Sequence, residues 1–355
     1  MSSISLRSLS KRFGEVTAVD RLDLELPEGE LVALLGPSGC GKTTTLRMVA
    51  GFETPTEGRI LLGDRDVTRL PPERRDCGMV FQNYALFPHM TVAENVAFGL
   101  QMRGVAKAET NQRVTRILEK VGLKGMAGRR PRQLSGGQQQ RTALARALVI
   151  NPAVLLLDEP LANLDAKLRE EMRFYIRSLQ REFHITTLYV THDQAEALVL
   201  ADRIAVMIDG RLHQLGTPEE LYRRPLNAAV AAFVGLTNLL PGRVVAVKDG
   251  QVDFESSAGL LRGRGPGSLS SGAPAWLSVR PEDLGLHPPG SGADGQNQVR
   301  GVVRERAFLG NIADYRVEAP GDLLLRVQAA PSLRYAPGDE VTVSFPADVG
   351  WSLPK

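Results

Sequence analysis

The chain has 355 residues, 43% hydrophobic and 23% charged, with a formal net charge of +3. That length holds two domains of about 150 residues each. The charge is too small to argue for a nucleic-acid partner, and no run reaches the ~18 apolar residues of a membrane-crossing helix. The two cysteines, Cys40 and Cys77, make no disulfide framework, and Met1-Ser2-Ser3-Ile4-Ser5-Leu6-Arg7 lacks the apolar core of a signal peptide, so a cytoplasmic location is expected.

Along the first 235 residues, apolar strand-like runs alternate with helical periodicity, which predicts an α/β fold. Strands are expected at 4–9, 23–26, 31–35, 59–62, 77–81, 154–157, 187–190 and 203–208. The runs at 31–35 and 154–157 are apolar throughout, as parallel strands buried on both faces should be. Between about 83 and 150 the pattern turns helical, predicting an insertion in the sheet. Asp209-Gly210 marks a hairpin. Beyond about 235, short alternating runs at 243–247, 276–279, 299–304, 323–327 and 340–345, divided by Gly/Pro-rich stretches, predict a small β-barrel or sandwich.

Gly36-Pro37-Ser38-Gly39-Cys40-Gly41-Lys42-Thr43 lies between an apolar strand and a helix that opens on Thr44-Thr45-Leu46. The spacing G-x-x-x-x-G-K-[ST] in that context is a phosphate loop. Its glycines let successive N–H groups point at phosphate oxygens, and the helix adds the positive end of its dipole. Lys42 is expected to reach the β- and γ-phosphates and the Thr43 hydroxyl to hold Mg²⁺. Cys40 inside this loop reads either as a redox switch or as a small residue tolerated in a turn.

The apolar strand at 154–157 ends in Asp158-Glu159. In a phosphate-loop protein, a strand-terminal Asp belongs beside the Mg²⁺ held by Thr43, and Glu159 can take a proton from a water attacking the γ-phosphate. Leu134-Ser135-Gly136-Gly137-Gln138 precedes a good helix, with Ser135 as N-cap and two glycines that admit an anion: a second phosphate-facing surface.

Leu134-Ser135-Gly136-Gly137-Gln138, taken with the phosphate loop and the Leu157-Asp158-Glu159 strand end, resembles the ATP-binding-cassette ATPases over about residues 1–235. The resemblance implies roles for further residues. Gln82, in Val80-Phe81-Gln82-Asn83, corresponds to the glutamine loop that touches Mg²⁺ and the attacking water. His192, in Tyr189-Val190-Thr191-His192-Asp193, corresponds to the switch histidine on the γ-phosphate, and Phe13 to the aromatic that stacks on adenine. Leu164-Asp165 matches the D-loop, although Ala162 stands where the family commonly has Ser. The implied assembly is a head-to-tail homodimer, each ATP lying between one phosphate loop and the other subunit's Ser135–Gln138 segment.

Residues 81–96, with Tyr84, Leu86, Phe87 and Met90, resemble the importer surface that grips a coupling helix of a membrane subunit. Ser278-Val279-Arg280-Pro281-Glu282-Asp283 and Phe308-Leu309-Gly310-Asn311 resemble the C-terminal regulatory (TOBE) domain of bacterial solute importers, an oligonucleotide-binding-type barrel placed here at 236–355. The expected fold is therefore a phosphate-loop cassette of α/β class with a helical insertion, followed by a small all-β barrel. The expected function is the ATP-hydrolysing, energy-coupling subunit of an importer, peripheral on the cytoplasmic side of the inner membrane. Two permease subunits and an extracytoplasmic binding protein are implied as partners, and no nucleic acid. Polyamine, ferric-iron or phosphonate systems are favoured over sugar or sulfate. The rival readings are a soluble cassette ATPase acting on nucleic acid or ribosomes, and half of an exporter.

Overall fold

The computed structural model describes residues 2–292 and 295–355. It divides into two compact units, one running to Pro218 and the other spanning Glu219–Lys355.

In the first unit, β1 (Ile4–Phe13), β2 (Val16–Leu26), β4 (Glu57–Leu62) and β5 (Arg65–Asp66) form an antiparallel sheet in the order β2-β1-β4-β5. A second sheet has the order β10-β9-β3-β8-β7-β6. Its strands are β3 (Leu31–Leu35), β6 (Cys77–Val80), β7 (Val154–Asp158), β8 (Thr186–Thr191), β9 (Arg203–Ile208) and β10 (Arg211–Gly216). All but the β9–β10 hairpin pair in parallel. Every residue of β3, β7 and β8 is buried, which explains the continuous apolar runs at the sheet's centre. The main core joins both sheets to α1 (Lys42–Ala50) through Leu46, Met48 and Val49 packed with Val32, Leu34, Leu156 and Leu188. Because β3 delivers the chain straight into α1, the loop at 36–41 sits at the carboxyl end of a central strand.

The predicted helical insertion is present as α2 (Val92–Met102), α3 (Lys107–Lys120) and α4 (Gly136–Leu148) between β6 and β7. The remaining helices of the unit are α5 (Ala166–Phe183) and α6 (Gln194–Leu200). Among the described residues, no helix is long and apolar enough to cross a membrane.

The second unit begins earlier than residue 235, because α7 (Pro218–Arg223) and α8 (Ala228–Phe233) are tied to it by Arg280. That buried guanidinium donates to the carbonyls of Tyr222 (2.7 Å), Ala231 (3.1 Å) and Leu236 (3.0 Å), and lies 4.0 Å from the centre of the Tyr222 ring. Tyr222 and Arg223 bind Glu282 and Asp283 in turn. The motif at 278–283 is thus a clamp on two short helices.

The rest of the unit is all β. A closed barrel has the order β11-β12-β13-β20-β14, from β11 (Asn238–Lys248), β12 (Gln251–Ser256), β13 (Gly259–Arg264), β14 (Pro274–Val279) and β20 (Trp351–Pro354). A five-stranded sheet, order β15-β19-β16-β17-β18, adds β15 (Gly285–His287), β16 (Asn297–Phe308), β17 (Ala313–Ala319), β18 (Leu323–Ala329) and β19 (Glu340–Phe345). One core, with Phe254, Leu277, Tyr315 and Phe345 at its centre, serves both. The expected barrel is there, accompanied by a second sheet that the sequence reading did not separate from it.

Candidate active site

Two positions explain the glycines of the loop. Gly41 has φ +97°, a left-handed backbone, and a Cβ there would stand 2.3 Å from the Ala18 carbonyl oxygen. A Cβ at Gly36 would stand 2.2 Å from the Met207 carbonyl oxygen. Gly41 caps α1 without a side-chain hydrogen bond, so the first N–H groups of α1 are left to face the loop. Lys42 is buried and turned back on the loop, its Nζ donating to the carbonyls of Gly36 (2.7 Å) and Pro37 (2.9 Å). Cys40 is also buried, and burial pushes its thiol above the usual value. Neither access nor thiolate character favours the redox reading.

Across the sheet, Thr43 Oγ1 donates to Asp158 Oδ1 at 3.2 Å. Burial pushes the Asp158 carboxyl up, opposed by that hydrogen bond and by the nearby Arg47 charge. Glu159, one residue past β7, has φ +42°, a costly backbone for a non-glycine residue. Its N–H is fixed on the Val190 carbonyl at 3.0 Å. The turned backbone brings Glu159 Oε2 to 3.1 Å from His192 Nδ1, just beyond the end of β8. This pairing follows from the parallel register that sets Asp158 beside Val190.

Ser135 caps α4 in a reciprocal box: its Oγ accepts from Gln138 N, and Gln138 Oε1 accepts from Ser135 N at 3.1 Å. Gly136 lies against Leu164 and Gly137 against Leu168, close enough that a Cβ would stand 3.0 Å from each leucine. Asp165 caps α5 by accepting from Leu168 N at 2.9 Å. The Gln82 carbonyl accepts from Asn163 Nδ2 at 2.8 Å, and no hydrogen bond joins the Gln82 side chain to Thr43 or Asp158. Phe13 is half exposed at the end of β1, with Lys11 Nζ 4.7 Å from its ring centre.

The structure therefore brings Thr43 to Asp158 and Glu159 to His192, and ties Gln82 to the segment before Leu164-Asp165 through Asn163, a residue the sequence reading passed over. Arg146 was missed as well. From α4 it donates at 2.7 Å to the carbonyls of both Tyr84 and Ala85, two consecutive residues with positive φ that follow the glutamine loop.

Both units of the chain are similar to known proteins. Residues 19–162 match the ABC transporter family and residues 277–353 the TOBE domain. A Fe(3+) ions import ATP-binding protein, FbpC, of Rhizobium etli is 48% identical over 347 residues, spanning 96% of this chain and 95% of that one. The chain belongs to the ABC transporter family. A spermidine/putrescine import ATP-binding protein, PotA, of Thermobifida fusca is 48% identical over 362 residues, covering 99% of this ABC chain and 94% of its own. A solved dimeric ATP-binding cassette, MJ0796 in a post-hydrolysis state with ADP and Pi, overlays with a TM-score of 0.54 at 33% identity. It covers 61% of this ABC chain and 98% of its own, a match in extent to the cassette alone. The fold is an ABC cassette of α/β class followed by an all-β TOBE domain, and the activity is that of a transport ATPase.

Proposed function

We propose that this chain is the energy-coupling subunit of a bacterial importer of ferric ion or a polyamine. It works as a head-to-tail homodimer on the cytoplasmic face of the membrane, with two permease subunits and an extracytoplasmic binding protein. The observation that carries the catalytic part is the pairing of Glu159 with His192 beside the Thr43–Asp158 contact, all at the carboxyl ends of adjacent parallel strands. The solute follows from the names of relatives alike in both domains.

In this reading the N–H groups of 38–43 and the amino end of α1 hold the phosphates, Lys42 exchanging its loop carbonyls for phosphate oxygens. Glu159 accepts the proton of the attacking water, and His192 fixes its carboxylate and meets the γ-phosphate. Thr43 and Asp158 offer the hydroxyl and carboxylate oxygens that suit Mg²⁺, with Gln82 as third ligand; bound there, the ion would neutralise phosphate charge. Phe13 stacks on adenine. Ser135, Gly136, Gly137, Gln138 and Asp165 face the partner's nucleotide, so that ATP closes the dimer and its hydrolysis reopens it.

The test is affinity purification of the Glu159→Gln variant from native membranes in ATP. Recovery of two permease subunits supports the reading; recovery of ribosomes or nucleic acid in their place contradicts it.

A further inference from the structure

Three arginines, Arg169, Arg173 and Arg177, recur at four-residue spacing on one face of α5. Arg177 is paired with Asp202, whose other contact is the Leu31 N–H at the start of β3. Arg173 donates to Asp193 Oδ2 at 3.1 Å. Arg169 alone reaches two loops: its Nη2 donates to the Leu164 carbonyl at 3.0 Å, and its Nη1 lies 3.7 Å from Asp193 Oδ2.

Both ends of that reach matter. Leu164 is flanked by Asn163, which holds the Gln82 carbonyl, and by Asp165, which caps α5. Asp193 follows His192 directly and is fixed in its own right. Its Oδ1 accepts from Glu196 N at 3.1 Å, and its N–H donates to Thr191 Oγ1 at 2.9 Å. Thr191 Oγ1 in turn donates to the buried Glu196 carboxylate at 2.8 Å. His192 thus sits between two anchored residues while its ring is left to meet Glu159.

We propose that Arg169 is a positioning residue for hydrolysis, holding the D-loop and the His192 loop at a fixed separation so that His192 stays against Glu159. Its contacts extend an uninterrupted series from Gln82 through Asn163, Leu164, Arg169 and Asp193 to His192 and Glu159. A guanidinium suits the task because its planar fork serves two acceptors at once, which a point-charge ammonium does not. Arg169 touches neither nucleotide nor water in this role. The inference rests on Glu159 acting as the base.

The experiment compares steady-state ATP hydrolysis, ATP affinity and melting temperature for the full chain and the variants Arg169→Ala, Arg177→Ala and Glu159→Gln. Arg169→Ala is expected to lower kcat about 10- to 100-fold with KM and ATP affinity unchanged, the cost of a misplaced catalytic group. Arg177→Ala is expected to lower the melting temperature and leave kcat alone. Asp193→Asn, which also weakens the Arg173 pairing, should lower kcat at least as far as Arg169→Ala, and the two changes together should cost less than the sum of their single effects. If Arg169→Ala does not fold, Arg169→Gln is read in its place by the same criteria. A wild-type kcat for the Arg169 variant, or parallel losses of kcat and stability in the Arg169 and Arg177 variants, overturns the proposal. Full turnover by Glu159→Gln overturns the underlying reading instead.

Discussion

His192 Nδ1 lies 3.1 Å from Glu159 Oε2, although the two residues belong to different strand ends and Glu159 reaches the contact only through a left-handed backbone. Strain of that kind, costing on the order of 1–3 kcal/mol, persists where surrounding bonds over-determine it; here the Val190 carbonyl does so. Replacing His192 with Ala should lower kcat about 100-fold and leave ATP affinity within about twofold. Parallel loss of affinity would place His192 in binding and not in chemistry.

Arg75 is buried and closes four carbonyls at once: Leu70 (2.7 Å), Met48 (2.6 Å), Val49 (3.0 Å) and Thr68 (3.0 Å). Two of these end α1, the helix that carries the phosphate loop. The Arg75→Met change takes the guanidinium from all four carbonyls, leaving Met48 the Gly51 N–H at 3.3 Å, and should cost about 3 kcal/mol, read as a lower denaturant midpoint for the cassette unit. An unchanged midpoint would show that water replaces the guanidinium freely.

Glu196 is buried, and burial raises its pKa against the hydrogen bonds from Thr191 and Tyr189 that favour the anion. The folded chain therefore holds this proton more tightly than the unfolded chain. Its contribution is complete below the ordinary Glu range and is lost as pH rises through the raised value. The melting temperature of the wild type relative to Glu196→Gln should accordingly fall on going from acidic to neutral pH. A difference that rises instead would mean the carboxylate is stabilised by its hydroxyl donors.

Arg280 holds the carbonyls of Tyr222, Ala231 and Leu236, so a chain cut before it leaves α7 and α8 without this clamp. A chain ended after Pro218 should fold, bind ATP and run as a single species in gel filtration. A chain ended after Leu236 keeps both helices without their clamp and should aggregate. Better behaviour of the longer chain would place the boundary near 235 after all.

Much of this was readable beforehand. The strands β3, β9 and β19 fall where periodicity places them, and the segment 36–41 joins a strand to a helix as its sequence context predicts. The barrel strand β12, Gln251–Ser256, does alternate but has only two apolar positions, Val252 and Phe254, and β13, Gly259–Arg264, breaks its alternation with adjacent Leu260 and Leu261 and two glycines. The Glu159–His192 contact depends on β7 lying beside β8, and the Asn163–Gln82 bond on a loop folding across the sheet's end. Such contacts between residues far apart in the chain leave no periodic trace. The early boundary at 218 was hidden likewise, since it depends on where one guanidinium, Arg280, lands.

The most direct test of the account is hydrolysis by Glu159→Gln, with ATP binding measured on the same preparation. A loss of about 10²- to 10⁴-fold in turnover with ATP still bound is predicted for a chain whose base is Glu159. Turnover at the wild-type rate would contradict the account at its centre.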